Sequence, residues 1–210
     1  MRWMTVLVCA TALLLGGQAD AASTEQKAEA AQNKAEVLEE QAADKGAAAP
    51  AKVAPITPSE VQAVDPAGAA PLDDPITCLS RSIYWEAKGA SRADMEAVAS
   101  VVMNRLASKA FPKTVCAVVK QGSEKKSCQF SWWCDGRSDQ VVEEQRYDVS
   151  RDVARKALNR QLRDRTGGAL YFHDRHVAPA WAREYLRTAQ TEHFLFYRPR
   201  PEGEPVAGRR

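Results

Sequence analysis

The chain has 210 residues, enough for one domain with appendages, and carries 29 basic against 27 acidic side chains for a formal charge of +2. That near balance excludes a dedicated nucleic-acid binder, which concentrates its basic residues in a patch or stripe. The arginines between Arg146 and Arg165 are interleaved with acids and read as a solvated helix face.

The N-terminus reads as an export signal over residues 1–21. Arg2 precedes an apolar run from Val6 to Gly17, and Ala19-Asp20-Ala21 fits a small-x-small cleavage site. The run is too short for a stable membrane span. Cys9 follows Val8, not the small residue of a lipoprotein site. Cleavage after Ala21 leaves Cys78, Cys116, Cys128 and Cys134. In an oxidising compartment four cysteines point to two disulfides, with three pairings open. Cys128 with Cys134 closes a short local loop and leaves Cys78 with Cys116, and that pairing is the one expected. No Cys-x-x-Cys spacing supports a zinc site.

Residues 22–73 read as a linker, disordered or helical. Ser23 to Lys45 is rich in Ala, Glu, Gln and Lys, with Val37 and Leu38 nearly the only sizeable apolar side chains. No heptad pattern is sustained. Gly46 to Pro71 is rich in Ala and Pro, as a solvated spacer would be. The tail, residues 199–210, reads as disordered. No internal repeat occurs.

The expected folded unit is 74–198. Asp74 and Pro75 suit an N-cap and first helical position, and Ile76, Leu79 and Ile83 give the following helix an apolar stripe up to Gly89. Ser91 and Asp94 form an approximate capping box for a second helix with Met95, Val98, Ala99, Val102 and Leu106 inward. Phe111-Pro112 ends that unit, and Val115 to Val119 is a short helix or strand. A loop runs from Gln121 to Ser138. A third helix spans about Val141 to Arg163, with Val149, Val153, Ala157, Leu158 and Leu162 inward, and Gly167-Gly168 breaks it. Ala169 to His173 and His193 to Tyr197 read as antiparallel strands, with a short helix near Pro179 to Tyr185 between them. The fold class is α+β, helices first and a small sheet last.

Three places could hold chemistry. Glu86 is three residues past Ile83 and seven past Leu79, at the edge of the buried stripe and in the last helical turn. Desolvation and the negative helix end both raise a carboxyl pKa there, and a carboxyl neutral near pH 7 is what a general acid requires. The loop Cys128-Gln-Phe-Ser-Trp-Trp-Cys-Asp-Gly136 packs aromatics between Gln129, Ser131 and Asp135. At least one tryptophan there should be core and at least one should line a cleft. The third is Tyr171-Phe-His-Asp-Arg-His176. With His193, its His173 and His176 make three histidines, a number that can bind catalytic zinc. A spacing of three puts strand side chains on opposite faces, so no metal or cofactor is expected, and His173 reads as a hydrogen-bonding residue beside the cleft.

The run Leu79-Ser-Arg-Ser-Ile-Tyr-Trp-Glu-Ala-Lys-Gly and then Val98-Ala-Ser-Val-Val-Met-Asn-Arg105 resembles cell-wall hydrolases of the SleB/CwlJ type. Phe111-Pro-Lys-Thr-Val-Cys, Cys128-Gln-Phe-Ser-Trp, Gly168-Ala-Leu-Tyr-Phe-His and Val177-Ala-Pro-Ala-Trp-Ala-Arg continue the likeness, which covers about Cys78 to Arg198. The resemblance implies a single lysozyme-like helical domain and a peptidoglycan hydrolase acting as a lytic transglycosylase between N-acetylmuramic acid and N-acetylglucosamine. Glu86 matches the glutamate of the family's Tyr-x-Glu-Ala-(Arg/Lys)-Gly motif and would be the sole acid and base. Lys88 departs from the usual arginine, Ala90 from a common acid, and the ending from Thr191 to Arg198 is a looser match.

The expected reaction is protonation of the glycosidic oxygen by Glu86, then activation of the sugar's 6-hydroxyl or of water. Gln129, Ser131, Trp132, Tyr171 and His173 are the expected substrate-binding residues. Asp94, Glu96 and Asp135 are the candidate second carboxylates should water be the acceptor. The expected partner is the peptidoglycan glycan strand, met by a monomer in the periplasm or outside the cell, without nucleic acid. The alternatives are a zinc amidase using His173, His176 or His193, and a non-catalytic wall-binding module.

Overall fold

The computed structural model describes residues 16–44, 53–125 and 128–201. The expected signal peptide lies largely outside these residues, as does most of the tail. Among the described residues no helix is long and apolar enough to cross a membrane.

The central element is helix α3, Pro75–Glu86, in which every residue from Pro75 to Tyr84 is buried. Its start follows from the sequence: the Asp74 carboxylate accepts from Ile76 N at 2.9 Å and Thr77 N at 3.0 Å, and Pro75 lacks the amide that would otherwise go unbonded. Ile76, Leu79 and Ile83 are wholly buried. The helix stops at Glu86, and Gly89 takes the left-handed conformation (φ 84°) that turns the chain toward the next helix. Helix α4, Arg92–Leu106, opens on the Ser91/Asp94 capping box. The short α5, Val115–Val119, is capped by Thr114, and Cys78–Cys116 ties it to α3. The second disulfide, Cys128–Cys134, closes the aromatic loop. Helix α6, Glu144–Leu158, packs on α3 and α4.

A three-stranded antiparallel sheet follows, in the order β1-β3-β2: Tyr171–Asp174, Phe194–Arg198 and Leu186–Gln190. The β1–β3 register pairs Tyr171 with Tyr197 and Asp174 with Phe194. The fold class is thus α+β with a small antiparallel sheet.

Three readings need correction. Residues 22–73 are not a free linker where they are described. Helix α1, Gly16–Ala43, begins ahead of the expected cleavage point and docks on α2 (Pro58–Ala63), α3, α4 and α6. Its contact face is Ala31, Ala35, Leu38 and Ala42, none more than 8% exposed. Small side chains let the helix backbone come close, so burial there does not need large apolar residues. Beyond it, α2 (Pro58–Ala63) opens on a complete capping box, and Ile56, Val61, Val64 and Leu72 enter the core.

Asp65 locks this segment in place. Its carboxylate accepts from Ala69 N and Ala70 N, both at 2.8 Å, from Arg81 Nε at 3.0 Å and from the Tyr147 hydroxyl at 2.7 Å. Gly68 (φ 62°) lies against Val141 so closely that an added Cβ would sit 2.3 Å from Val141 Cβ, and its carbonyl accepts from Val141 N at 3.0 Å. The folded unit therefore starts well before Asp74.

The third helix is shorter than expected. It ends at Leu158 because Asn159 caps it and Arg160 takes a left-handed turn (φ 56°), while the Asn159 amide bonds both backbone groups of Ile56 at 2.9 Å. The segment between the two expected strands holds a single 3-10 turn, Ala180–Arg183, and then strand β2, which periodicity did not reveal.

Candidate active site

A cleft of about 300 Å³ lies where the end of α3 meets the sheet. Glu86 enters it from the last turn of α3, Lys88 and Ala90 from the turn that follows, and Gln129 from the disulfide-closed loop. Phe172, His173 and Asp174 come from β1, while Phe194 comes from the start of β3 and His193 is the residue just before it. The β1–β3 register is what brings these last two groups side by side.

Glu86 is partly buried, and no hydrogen bond or ion pair reaches it from the described residues. Burial pushes its carboxyl from the ordinary 4.5 up to about 7, with the positive charge of Arg105 pulling the other way. Arg105 is wholly buried on α4. Its Nε donates to Leu170 O at 2.7 Å, and its guanidinium lies 5.2 Å from the Phe130 ring centre, 5.3 Å from Phe111 and 5.7 Å from Tyr171. Both terminal nitrogens lack a hydrogen-bond partner among the described residues. Burial draws Arg105 down to about 10, against the pull of Tyr171 and Glu86, so it remains a cation at neutral pH. Arg105→Met is expected to move the ionisation of Glu86 to higher pH, and Arg105→Lys to leave it nearer its place. A carbon-detected titration of the Glu86 carboxyl checks this.

The histidines part company. His173 uses both ring nitrogens, Nδ1 with Asp174 O at 2.8 Å and Nε2 with the Tyr197 hydroxyl at 3.0 Å, and stacks on Tyr197 at 5.2 Å. His176 is exposed, with Nδ1 2.9 Å from Asp174 Oδ1. His193 Nδ1 lies 2.9 Å from Asp94 Oδ2, and its backbone N–H donates weakly to Oδ1 at 3.4 Å. Asp94 has no exposed side-chain surface. Burial pushes its pKa up, but hydrogen bonds from Thr191, Ser91 and His193 outweigh that and hold it at about 2. A carboxylate so ionised only accepts, so His193 Nδ1 carries the proton.

The three histidines share no common point that a zinc ion could occupy. Among the described residues the one group of acids and histidine with potential ligand atoms within 4.8 Å of one another is Asp94, Glu192 and His193, and there the Nδ1 proton already joins His193 to Asp94.

Of the expected site residues, Glu86, Gln129 and His173 line the cleft, while Ser131, Trp132 and Tyr171 do not. Trp132 is 6% exposed, packs edge-on to Trp133 and belongs to the hydrophobic core, within the loop that Cys128–Cys134 closes. Ser131 is exposed outside the cleft. Tyr171 stacks on Tyr185 at 4.7 Å, above Arg105. The candidate second carboxylates are also elsewhere. Asp94 stands behind His193, Glu96 pairs with Arg92 at 3.2 Å, and Asp135 is exposed and caps Arg137 N at 2.8 Å.

Sequence reasoning missed Arg105, although the signal that found Glu86 applies to it. Arg105 is three residues past Val102 and seven past Val98, a charge on an apolar stripe. The Asp94–His193 pair had no such signal, since its members are 99 residues apart.

The sequence profile of the Cell Wall Hydrolase family matches residues 89–197, beginning three positions after Glu86. The spore cortex-lytic enzyme of Halalkalibacterium halodurans is 30% identical over 118 residues, which cover 55% of this chain and 32% of that protein. The chain thus spans about a third of that curated relative. The catalytic domain of the Bacillus cereus SleB protein matches at 25% identity and a TM-score of 0.49, over 59% of this chain and 88% of that one. The catalytic domain of the germination-specific lytic transglycosylase SleB from Bacillus anthracis matches at 24% identity and a TM-score of 0.49, over 62% and 98%.

Proposed function

The chain belongs to the cell wall hydrolase family, and from that premise we propose that it cleaves the glycan strand of peptidoglycan as a lytic transglycosylase, with Glu86 as the acid. One observation carries the reading: a cleft-lining carboxyl, raised to about 7, is neutral often enough at working pH to give up a proton. Glu86 protonates the glycosidic oxygen, and the bond breaks through an oxocarbenium-like transition state. Arg105 then faces the carboxylate that remains. Gln129 hydrogen-bonds the sugar or its acetamide from one side of the cleft. His173, with both nitrogens engaged, shapes the other side.

An anhydro product follows if the sugar's own 6-hydroxyl closes on C1. A two-carboxylate hydrolase needs a second free carboxylate at a set separation. The cleft does hold Asp174, but its Oδ1 is taken by the backbone N–H of His176 at 2.7 Å and by the His176 ring. The two disulfides fit a site of action outside the cytoplasm, periplasmic or secreted.

Mass spectrometry of the soluble products from purified sacculi tests this. Release of 1,6-anhydromuropeptides is the expected result. Reducing muropeptides would make water the acceptor and direct attention to Asp174. Free stem peptides with intact glycan would mean an amidase, and retention on sacculi without soluble product would mean a binding module.

A further inference from the structure

Closing an anhydro ring moves two protons. The leaving oxygen gains one and the 6-hydroxyl loses one. Glu86 can serve both ends only in sequence, because one carboxyl cannot give and take in the same step. We infer that His193, held by Asp94, is the base that takes the second proton.

His193 lines the same cleft as Glu86, and its side chain is 37% exposed. Nδ1 is fixed on a wholly buried carboxylate, which sets the tautomer and leaves the lone pair on Nε2. No hydrogen bond occupies Nε2 among the described residues. The other cleft histidine, His173, has both nitrogens bonded and cannot take the role without breaking a contact. Asp94 also does more than a cap needs. Its bonds with the backbone N–H and hydroxyl of Ser91, at 3.1 and 2.7 Å, complete the capping box, and the contact with His193 is additional.

Charges of both signs surround the ring. Asp94 on α4 contacts it, Asp174 on β1 interacts with it electrostatically, and Glu192 precedes it in the chain. Against these stand Lys88, on the cleft rim and also 3.6 Å from Glu143, and Arg175, whose Nη1 donates to Glu192 O at 3.1 Å.

The step balances. The C1–O bond to the leaving sugar breaks as the Glu86 proton reaches that oxygen. The 6-oxygen bonds to C1 as its proton passes to His193 Nε2. Glu86 is left as a carboxylate and His193 as an imidazolium, and proton exchange with water resets both. Asp94 is a positioning residue that acts through His193.

This inference rests on the lytic transglycosylase reading, and one assay separates the two. Anhydromuropeptide release from sacculi is measured for the wild type, His193→Gln, His193→Gly and Asp94→Asn, with thermal unfolding recorded for each. The His193 variants are expected to lose about a hundredfold in kcat with KM little changed. Added imidazole should restore part of the rate to His193→Gly and none to His193→Gln, whose side chain fills the space. Asp94→Asn, which can still cap α4, should lose at least about tenfold in kcat. A folded His193 variant with wild-type kcat overturns the inference. So does a slow His193→Gly enzyme that imidazole does not rescue, since His193 would then only dock β3 on α4. A wild type that makes no anhydro product sinks the underlying reading instead.

Discussion

Glu86→Gln is expected to abolish turnover and, above neutral pH, to make the protein more stable. The loss of activity should reach at least about a thousandfold, because the amide cannot donate an acidic proton to the leaving oxygen. The gain in stability has the same cause as the acidity proposed for Glu86. In the unfolded chain Glu86 ionises near its ordinary 4.5, and in the folded protein near 7. Between those values the folded state holds the proton more tightly, so stability falls as pH rises through that window and stays lowered above it. The full difference is up to about 3 kcal/mol, taking roughly 1.36 kcal/mol for each pH unit. Glutamine has no charge to desolvate and escapes that cost. At pH 8 the variant should melt about 5–10 °C above the wild type, and at pH 4 the two should coincide. Calorimetry at both pH values checks this. Equal melting temperatures at pH 8 would mean that Glu86 is ionised without penalty in the fold and is not poised as an acid.

What was legible in the sequence was whatever a single element encodes by itself. The cap at Asp74-Pro75, the stripe of Ile76, Leu79 and Ile83, and the stop near Gly89 fixed α3, and with it the depth of Glu86. The Ser91/Asp94 box placed α4. The two end strands paired as expected, and both disulfides formed in the favoured pairing.

The failures have two physical origins. One is a bias toward large side chains. The face of α1 is mostly alanine, and α2 hides in an Ala/Pro-rich stretch although Thr57-Pro-Ser-Glu60 spells a capping box with proline at its first position. The other is that contacts between distant residues leave no local trace. Strand β2 exists because β3 offers it an edge, and its bulge at Arg187/Ala189 breaks the alternation by which strands are recognised. Trp132 looked like a cleft residue because it lies in a loop, but a disulfide-closed loop can bury its aromatics.

A fragment that starts at Asp74 and ends at Pro201 is expected not to fold, whereas one from Ala22 to Pro201 should. Deletion to Asp74 removes Ile56, Val61, Val64 and Leu72 from the core. At roughly 1.5–3 kcal/mol for each buried aliphatic side chain, that is about 6–12 kcal/mol, comparable with the 5–15 kcal/mol that holds a typical domain together. It also removes Asp65 and strands Arg81, whose side chain is 3% exposed, beneath what had been a sealed surface. An unpaired buried charge costs about 3–5 kcal/mol by itself. Far-UV circular dichroism and thermal melts of the two fragments decide the point, and a cooperative melt of the shorter one would show that residues before Asp74 are a decoration. Asp65→Ala in the longer chain isolates the electrostatic part and should lower stability by about 3–5 kcal/mol. The effect should also reach the chemistry. Arg81 and Glu86 are five residues apart on α3, and Arg81 and the Trp85 indole both donate to the Asp139 carbonyl, the indole at 3.2 Å. When Asp65 no longer holds Arg81, the shared contact of Arg81 and Trp85 with the Asp139 carbonyl, next to Glu86 in the chain, is expected to loosen, and a carboxyl returned to water returns to its ordinary pKa. Asp65→Ala should therefore ionise Glu86 at lower pH and shift the alkaline limb of activity downward.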